Sequence, residues 1–251
     1  MEWWKELYEK LFYSNKTWSI PTQKRLEGQI HYFLQSTSLT SGYVLDLGAG
    51  TGSHIKCLEK NGFNVKGIEY SQAIVDEGLK GSPNLPLYQG NMNDLEEENT
   101  YDAITFFDTS FGLFDDQTNE SLLHKVYKAL KSGAWLAIDY LNPDYWSLKK
   151  EEMTIRNYKE PGDLLVRQYV YDSTKERIFD KKTYISSDHT EEKFPDQILA
   201  VYKKETMRKI LQNAGFQNIH FYGSHAYEYS NELLPLSSKS AFTFVVGQKQ
   251  S

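Results

Sequence analysis

Apolar residues recur at helical spacing from Trp3 to Phe12 and from Thr22 to Leu34, which predicts two helices ahead of any strand. Pro21 falls at the first turn of the second, where its missing N–H leaves no bond unmade. From residue 43 onward, short apolar runs alternate with amphipathic stretches. This rhythm predicts strands at 43–47, 64–69, 85–88, 101–107 and 134–140, with helices at 52–61, 71–80 and 118–130. Gly62 stands where the first crossover helix needs a C-cap, and Ser71 where the second needs an N-cap. Strands and helices that alternate in this way, joined by right-handed crossovers, build a parallel, doubly wound α/β sheet.

After Asn142-Pro143 the pattern changes. Leu164–Tyr171 and Arg177–Ile185 read as strands around the polar turn Asp172–Glu176, and a third strand is expected from Ile198 to Tyr202. A helix follows from Lys204 to Ala214, capped by Gly215, and then strands at 217–222 and 241–246 with no helix between them. Those last two predict an antiparallel C-terminal hairpin at one edge of the sheet. The expected organisation is an N-terminal helical cap over 1–40, a sheet core over 41–143 and 203–251, and an antiparallel β insertion over 144–202 that serves as a substrate lid.

Composition narrows the class. A chain of 251 residues can bury a sizeable core, and 39% hydrophobic with 25% charged residues is ordinary for a globular enzyme. Aromatic residues are abundant at 14%, enough to fill a core and also line a pocket. The single cysteine, Cys57, excludes an internal disulfide framework. No apolar stretch approaches the roughly 20 residues of a membrane span, and residues 1–6 lack the basic start and apolar run of a secretion signal, so a cytoplasmic location and no membrane partner are expected. The net charge of -6, with no concentration of Lys and Arg, disfavours a nucleic-acid partner.

Val44-Leu45-Asp46-Leu47-Gly48-Ala49-Gly50-Thr51-Gly52 describes a buried strand ending in a turn with three glycines, where backbone can approach a ligand closely. In an open parallel sheet the first strand-to-helix turn lies at the ligand-binding switch point. The third glycine comes one residue early for a dinucleotide fingerprint, and the Gly-Lys-Ser/Thr of a P-loop is absent. Glu69 ends the next apolar run, 21 residues beyond Gly48, where a carboxylate can accept from two ribose hydroxyls.

With these residues the chain resembles the class I S-adenosylmethionine-dependent methyltransferases, whose first motif reads like Asp46-Leu47-Gly48-Ala49-Gly50-Thr51-Gly52. Gly90-Asn91-Met92-Asn93-Asp94-Leu95 is similar to the family's segment after the third strand, with Asn91 in place of the usual acid. Tyr101–Asp108 resembles the fourth strand, and Leu130-Lys131-Ser132-Gly133 the turn before the fifth. The resemblance implies a Rossmann-like fold, S-adenosylmethionine as cofactor and S-adenosylhomocysteine as its product. It also implies that Gly48, Gly50 and Gly52 approach the amino-acid portion, Glu69 binds the ribose, Tyr70 and Met92 flank the adenine, and Phe107-Asp108 closes the pocket. Asp46, Ala49, Ser71 and Asn91 are counted with them as cofactor-binding positions.

The reaction implied is direct displacement of the methyl from sulfur, for which a base is optional, so no catalytic residue stands out. Asp108-Thr109-Ser110-Phe111-Gly112 follows the fourth strand where small-molecule N- and O-methyltransferases often carry Asn-Ser-Phe-Gly. Asp108 can orient an amine or cap a helix. His189 can act as a base or sit solvated in a loop. Tyr13 and Trp18 are candidate lid residues or cap packing, and Ser110 a candidate substrate contact, whereas His124 and His220 read as structural. Asp115-Asp116, with Asp139 and Asn142, raises a metal-dependent reading, yet the first pair lies well past the strand end and no metal is expected. The expected function is transfer of a methyl to N or O of a small-molecule acceptor by a monomer or homodimer. The alternatives are an RNA or protein methyltransferase, or a cofactor-binding protein without turnover.

Overall fold

A computed structural model of the chain describes residues 3–7, 22–157, 161–225 and 228–250. Residues 3–7 are helical, and α1 (Gln23–Thr37) starts at Thr22, whose hydroxyl accepts from Arg25 N at 3.3 Å. The main sheet then grows through β1 (Gly42–Leu47), α2 (Ser53–Lys60), β2 (Phe63–Glu69), α3 (Gln72–Lys80), β3 (Leu87–Gln89), β4 (Tyr101–Phe106), α4 (Asp116–Ala129) and β5 (Leu130–Leu141). Val44 to Leu47 are all buried, as a strand covered by helices on both faces requires.

A smaller antiparallel sheet follows α5 (Pro143–Lys149). It comprises β6 (Glu151–Asn157), β7 (Leu164–Asp172), β8 (Arg177–Ile185), β9 (Glu191–Lys193) and β10 (Gln197–Ala200), in the order β10-β8-β7-β6 with β9 on β8. The chain returns to the main sheet through α6 (Lys204–Asn213), β11 (Gln217–Gly223), β12 (Leu234–Pro235) and β13 (Phe242–Gln248). The main sheet runs β12-β11-β13-β5-β4-β1-β2-β3, so strand order reverses beside β1, which pairs in parallel with β2 on one side and β4 on the other. That reversal opens a crevice at the carboxyl end of β1. Among the described residues, no helix is long and apolar enough to cross a membrane.

The class is the α/β doubly wound, mostly parallel sheet that the periodicity predicts, and the differences are local. The C-terminal strands β11 and β13 pair antiparallel at that end of the sheet as expected, but the two-residue β12 lies outside β11, so β13 sits between β5 and β11, two places inside the edge. The segment 144–202 holds α5, β6 and β9 beyond the expected three strands. In β6 the polar residues Glu152, Thr154 and Arg156 turn inward to a cavity while Met153 and Ile155, each 60% exposed, turn outward. Its alternation is therefore inverted relative to a strand packed on an apolar core. Pro21 and the candidate lid residues Tyr13 and Trp18 lie outside the described residues.

Candidate active site

Where β1 ends, Gly48 and Gly50 take left-handed backbone conformations, φ +74° and +54°. A Cβ on Gly48 would come within 2.5 Å of Ser110 Cβ, whereas one on Gly50 would meet no atom within 4 Å, so this backbone faces open space. Glu69, at the end of β2 and 8% exposed, braces the turn: Oε2 accepts from Gly50 N at 3.1 Å and Oε1 from Ser71 N at 3.0 Å. Burial raises its pKa, and the donors from Ser71 and Gly50 oppose the rise. Each carboxylate oxygen keeps a second acceptor site.

Asp46 lies deeper. Its Oδ1 accepts from Thr105 Oγ1 at 2.8 Å, its Oδ2 is buried without a hydrogen-bond partner among the described residues, and burial pushes its pKa up to about 7. The cavity wall includes Gly48, Gly50, Glu69, Tyr70, Asn91, Met92, Phe107, Asp108 and Ser110, but Asp46, Ala49, Gly52 and Ser71 sit behind it. They shape the turn rather than face the cavity.

The cavity measures about 670 Å³ and has two ends. One is a slot of Ile68, Tyr70, Ile74, Met92, Leu113 and Phe114. Trp4 packs edge-on against Tyr70, with ring centroids 4.5 Å apart, and against Phe114 at 5.6 Å. Asn91 caps the short turn Met92–Asp94, its Oδ1 accepting from Asn93 N at 3.0 Å.

Between the ends lies a charged cluster reached from α1. Arg25 donates through Nε to Asp108 Oδ1 at 2.7 Å and through Nη2 to Asp139 Oδ2 at 3.2 Å, with its guanidinium 3.7 Å from the centroid of the Phe242 ring. The Gln29 amide donates to both carboxylates, and its Oε1 meets His54 Nε2 at 2.9 Å. Since that Oε1 can only accept, the network assigns the His54 proton to Nε2. Burial lowers the His54 pKa to about 4, leaving a neutral ring stacked on Phe107 at 4.4 Å. Burial alone would raise Asp108, but Arg25, His54 and Gln29 together outweigh it and hold this carboxyl below its ordinary pKa. For Asp139 burial wins over Arg25 and the pKa rises to about 6.

The loop carrying Asp108 is strained: Asp108 and Thr109 have φ +53° and +64°, a region that a β-branched residue rarely enters. Thr109 N donates to Asp139 O at 3.1 Å, and Ser110 Oγ donates to Leu47 O at 2.8 Å, tying the loop to β5 and to the glycine turn. Ala200 N, ending β10, donates to Gly112 O at 2.8 Å, which joins the smaller sheet to the same loop. An ionised carboxylate fixed by Arg25 and Gln29 orients a partner well and accepts a proton poorly. Arg25, Gln29 and His54 were not singled out from sequence. The available signal was the i, i+4 pair Arg25 and Gln29 on an otherwise apolar helix face.

The other end of the cavity is walled by the smaller sheet, with Glu152, Thr154, Arg156, Arg167, Tyr169, Asp180 and Gln197 facing it beside Trp146. Asp180 bonds both Arg167 and Lys182, the latter at 2.7 Å, and Lys182 Nζ also donates to Gln197 Oε1 at 3.0 Å. Burial lowers the Lys182 pKa to about 8. His189 is not on this wall: it lies exposed in the turn after β8 at φ +69°, with its N donating to Ser186 O at 2.9 Å. Asp115 caps α4 by accepting from Thr118 N at 2.8 Å, and Asp116 is taken by Arg177 at 2.7 Å and Tyr202 at 2.6 Å.

Residues 21–221 match a family profile described as a methyltransferase domain. The chain belongs to the class I S-adenosylmethionine-dependent methyltransferases. A demethylmenaquinone methyltransferase of Streptomyces avermitilis is 30% identical over 105 residues, 41% of this chain and 44% of its own length, so the match spans less than half of that relative. Among solved structures, the CcbJ methyltransferase from Streptomyces caelestis superposes with a TM-score of 0.77 over 100% of both chains at 17% identity. The amino pentose methyltransferase CalS10 from Micromonospora echinaspora, solved with S-adenosylmethionine bound, gives 0.64 over 97% of this chain and 96% of its own at 14% identity. At these identities the two structures show a shared fold.

The methyl donor of this family fits what surrounds the glycine turn. Open space lies over Gly50, a buried carboxylate with spare acceptor sites stands at Glu69, and an apolar slot lies beyond Tyr70 and Met92. These are the three things that an amino-acid chain, a ribose and a flat base require.

Proposed function

We propose that this chain transfers the methyl of S-adenosylmethionine to a nitrogen or oxygen atom of a small-molecule acceptor. The observation that carries this reading is one continuous cavity of about 670 Å³ that runs from the glycine turn and Glu69, past Asp108, to the polar wall of the smaller sheet. That volume suits a cofactor and a small second substrate held end to end, inside the range of such sites. When bound, the cofactor supplies an electrophilic methyl whose sulfur leaves without protonation.

The chain's own residues then have separate tasks. Gly48 and Gly50 let backbone approach the amino-acid portion, Glu69 accepts from the ribose hydroxyls, and Tyr70, Asn91 and Met92 border the base. Phe107, Asp108 and Ser110 lie at the junction where the acceptor must meet the methyl. Asp108, kept ionised by Arg25, orients the acceptor's N–H or O–H rather than removing its proton. Alignment and exclusion of water then carry the rate.

Calorimetry with S-adenosylhomocysteine tests the cofactor half. The expected result is binding to the wild type and at least tenfold weaker binding to Glu69→Ala, about 1.4 kcal/mol. Equal affinity in the two proteins would refute the assignment. Labelled-methyl transfer to a panel of amines and hydroxy compounds tests the acceptor half, and incorporation into RNA alone would reverse it.

A further inference from the structure

A strand at the end of a sheet offers unpaired N–H and C=O groups to any other chain, and folded proteins blunt such edges with shortness, proline, charge or cover. Most of the outer strands here carry one of these devices. β3 has three residues, β12 has two and ends in Pro235, and β9 is Glu191, Glu192 and Lys193. β10 has four residues, and the N–H of its last, Ala200, is spent on Gly112 O. β6 is different: among the described residues its seven residues pair with β7 alone, and they include no Pro, Gly or Lys. Exposed apolar surface concentrates at the same place. Of the four large apolar residues more than half exposed among the described residues, Met153 and Ile155 lie in β6 and Leu148 just before it, with only Tyr88 elsewhere.

The order of residues along β6, Glu151-Glu152-Met153-Thr154-Ile155-Arg156-Asn157, is complementary to itself. Laid antiparallel against a second copy about a two-fold axis at Thr154, Met153 stands opposite the partner's Ile155 and Ile155 opposite the partner's Met153, which joins four exposed apolar side chains on the outward face. On the inward face Glu152 stands opposite the partner's Arg156, and Arg156 opposite the partner's Glu152. Apolar and opposite-charge pairs across strands both stabilise the pairing. Neighbouring registers lose this match: an axis at Met153 sets Ile155 against the partner's Glu151, an axis at Ile155 sets Met153 against the partner's Asn157, and neither forms a Glu–Arg pair. We infer that β6 is a self-recognition edge, and that two copies of this chain form a two-fold dimer by antiparallel β6–β6 pairing centred on Thr154. The axis runs perpendicular to the sheet, so the inward faces of both protomers lie on one side. The partner's Arg156 then comes beside Glu152 in the cavity wall. Glu152 already bonds Lys149 at 2.9 Å, and a carboxylate has about four acceptor sites, so the second cation adds to that pair without displacing it. The inverted alternation of β6 thus serves two surfaces, polar residues toward the chamber and apolar ones toward the dimer seam. The dimer stands independently of the methyl-transfer reading.

Sedimentation velocity and light scattering on the full chain at micromolar concentration test the dimer, and cysteine crosslinking tests its register. The wild type should have twice the mass of one chain, and Ile155→Lys, which places a charge in the apolar seam at an exposed position, should raise the dissociation constant at least tenfold. In Thr154→Cys the two new thiols face each other across the axis. Directly opposite residues have Cα atoms roughly 4.5–5.5 Å apart, inside the span of a disulfide, so mild oxidation should link the two chains. In Asn157→Cys the two thiols lie six residues apart along the paired strands, about 20 Å, and should stay unlinked. Wild type, with Cys57 as its one cysteine, should also stay unlinked. A monomeric wild type overturns the inference, as does a dimer that Ile155→Lys leaves equally tight. A dimer in which Thr154→Cys fails to crosslink, or Asn157→Cys crosslinks as readily, overturns it as well, and neither exposed thiol depends on Ile155→Lys folding.

Discussion

Replacing Arg25 with Met should cost the fold about 3 kcal/mol at pH 7, because it strands two carboxylates around one vacated guanidinium. Arg25 is 12% exposed at its side chain, Asp139 0% and Asp108 33%. Removing one partner of a buried ion pair costs about 3–5 kcal/mol. Partial exposure of Asp108 lets water soften the loss, which places the expectation at the lower end. For a domain of this size about 3 kcal/mol corresponds to a fall of roughly 6–12 °C in Tm. The pH dependence follows from the direction of each shift. In the wild type, Asp108 is held below its unfolded pKa, so its contribution is present at neutral pH and is lost as pH falls through the folded value. Asp139, raised to about 6, behaves oppositely: its charging destabilises the fold as pH rises from about 4 through 6. Without Arg25 both carboxyls shift upward and are neutralised sooner on acidification. Urea unfolding should therefore show a smaller difference between variant and wild type at pH 5 than at pH 7. Adding Asp108→Asn to Arg25→Met should recover at least half of the loss, since one stranded charge is removed. A loss under about 1 kcal/mol at pH 7, or one as large at pH 5, would refute the charge argument.

Thr109→Gly should raise the urea midpoint, since a non-glycine residue at φ +64° costs about 1–2 kcal/mol, only partly offset by glycine's extra unfolded-state freedom. Methyl transfer should slow as the loop bearing Asp108 loosens, and a lower midpoint would contradict the strain. Because burial lowers Lys182 to about 8, the wild type should gain stability as pH rises from 8 toward 10, where the folded state binds fewer protons than the unfolded chain. Lys182→Met should lack that gain, and parallel midpoints for the two proteins across this range would argue against a strained buried ammonium.

The residues legible in the sequence were those whose signal is contiguous. The glycine turn, Glu69 and the Gly90-Asn91-Met92 segment each sit at a strand end, where local pattern and ligand chemistry coincide. Asp46 shares the motif, yet its carboxylate turns under the strand to Thr105, because alternate residues of a doubly covered strand face opposite layers. Arg25, Gln29, His54, Asp108 and Asp139 meet only after four elements have folded, and no spacing along the chain announces that. The missed strand β6 failed for a different reason: the periodicity test assumes an apolar interior, and this interior is a polar chamber. Of the two readings open for His189, the structure agrees with the loop residue, because the turn after β8 holds it away from the cavity.

The placement of β13 between β5 and β11 bears on how the protein is made. Glu69 precedes Phe242 by more than 170 residues, so a ribosome can complete the glycine cradle long before the ring beneath Arg25 has been synthesised. Until then the outer edge of β5 that pairs with β13, Trp135–Leu141 and largely apolar, has no neighbour to accept its hydrogen bonds. Such an edge invites pairing with other chains. The growing polypeptide is therefore most vulnerable to aggregation in the interval between β5 and β13, the interval in which the smaller sheet is translated.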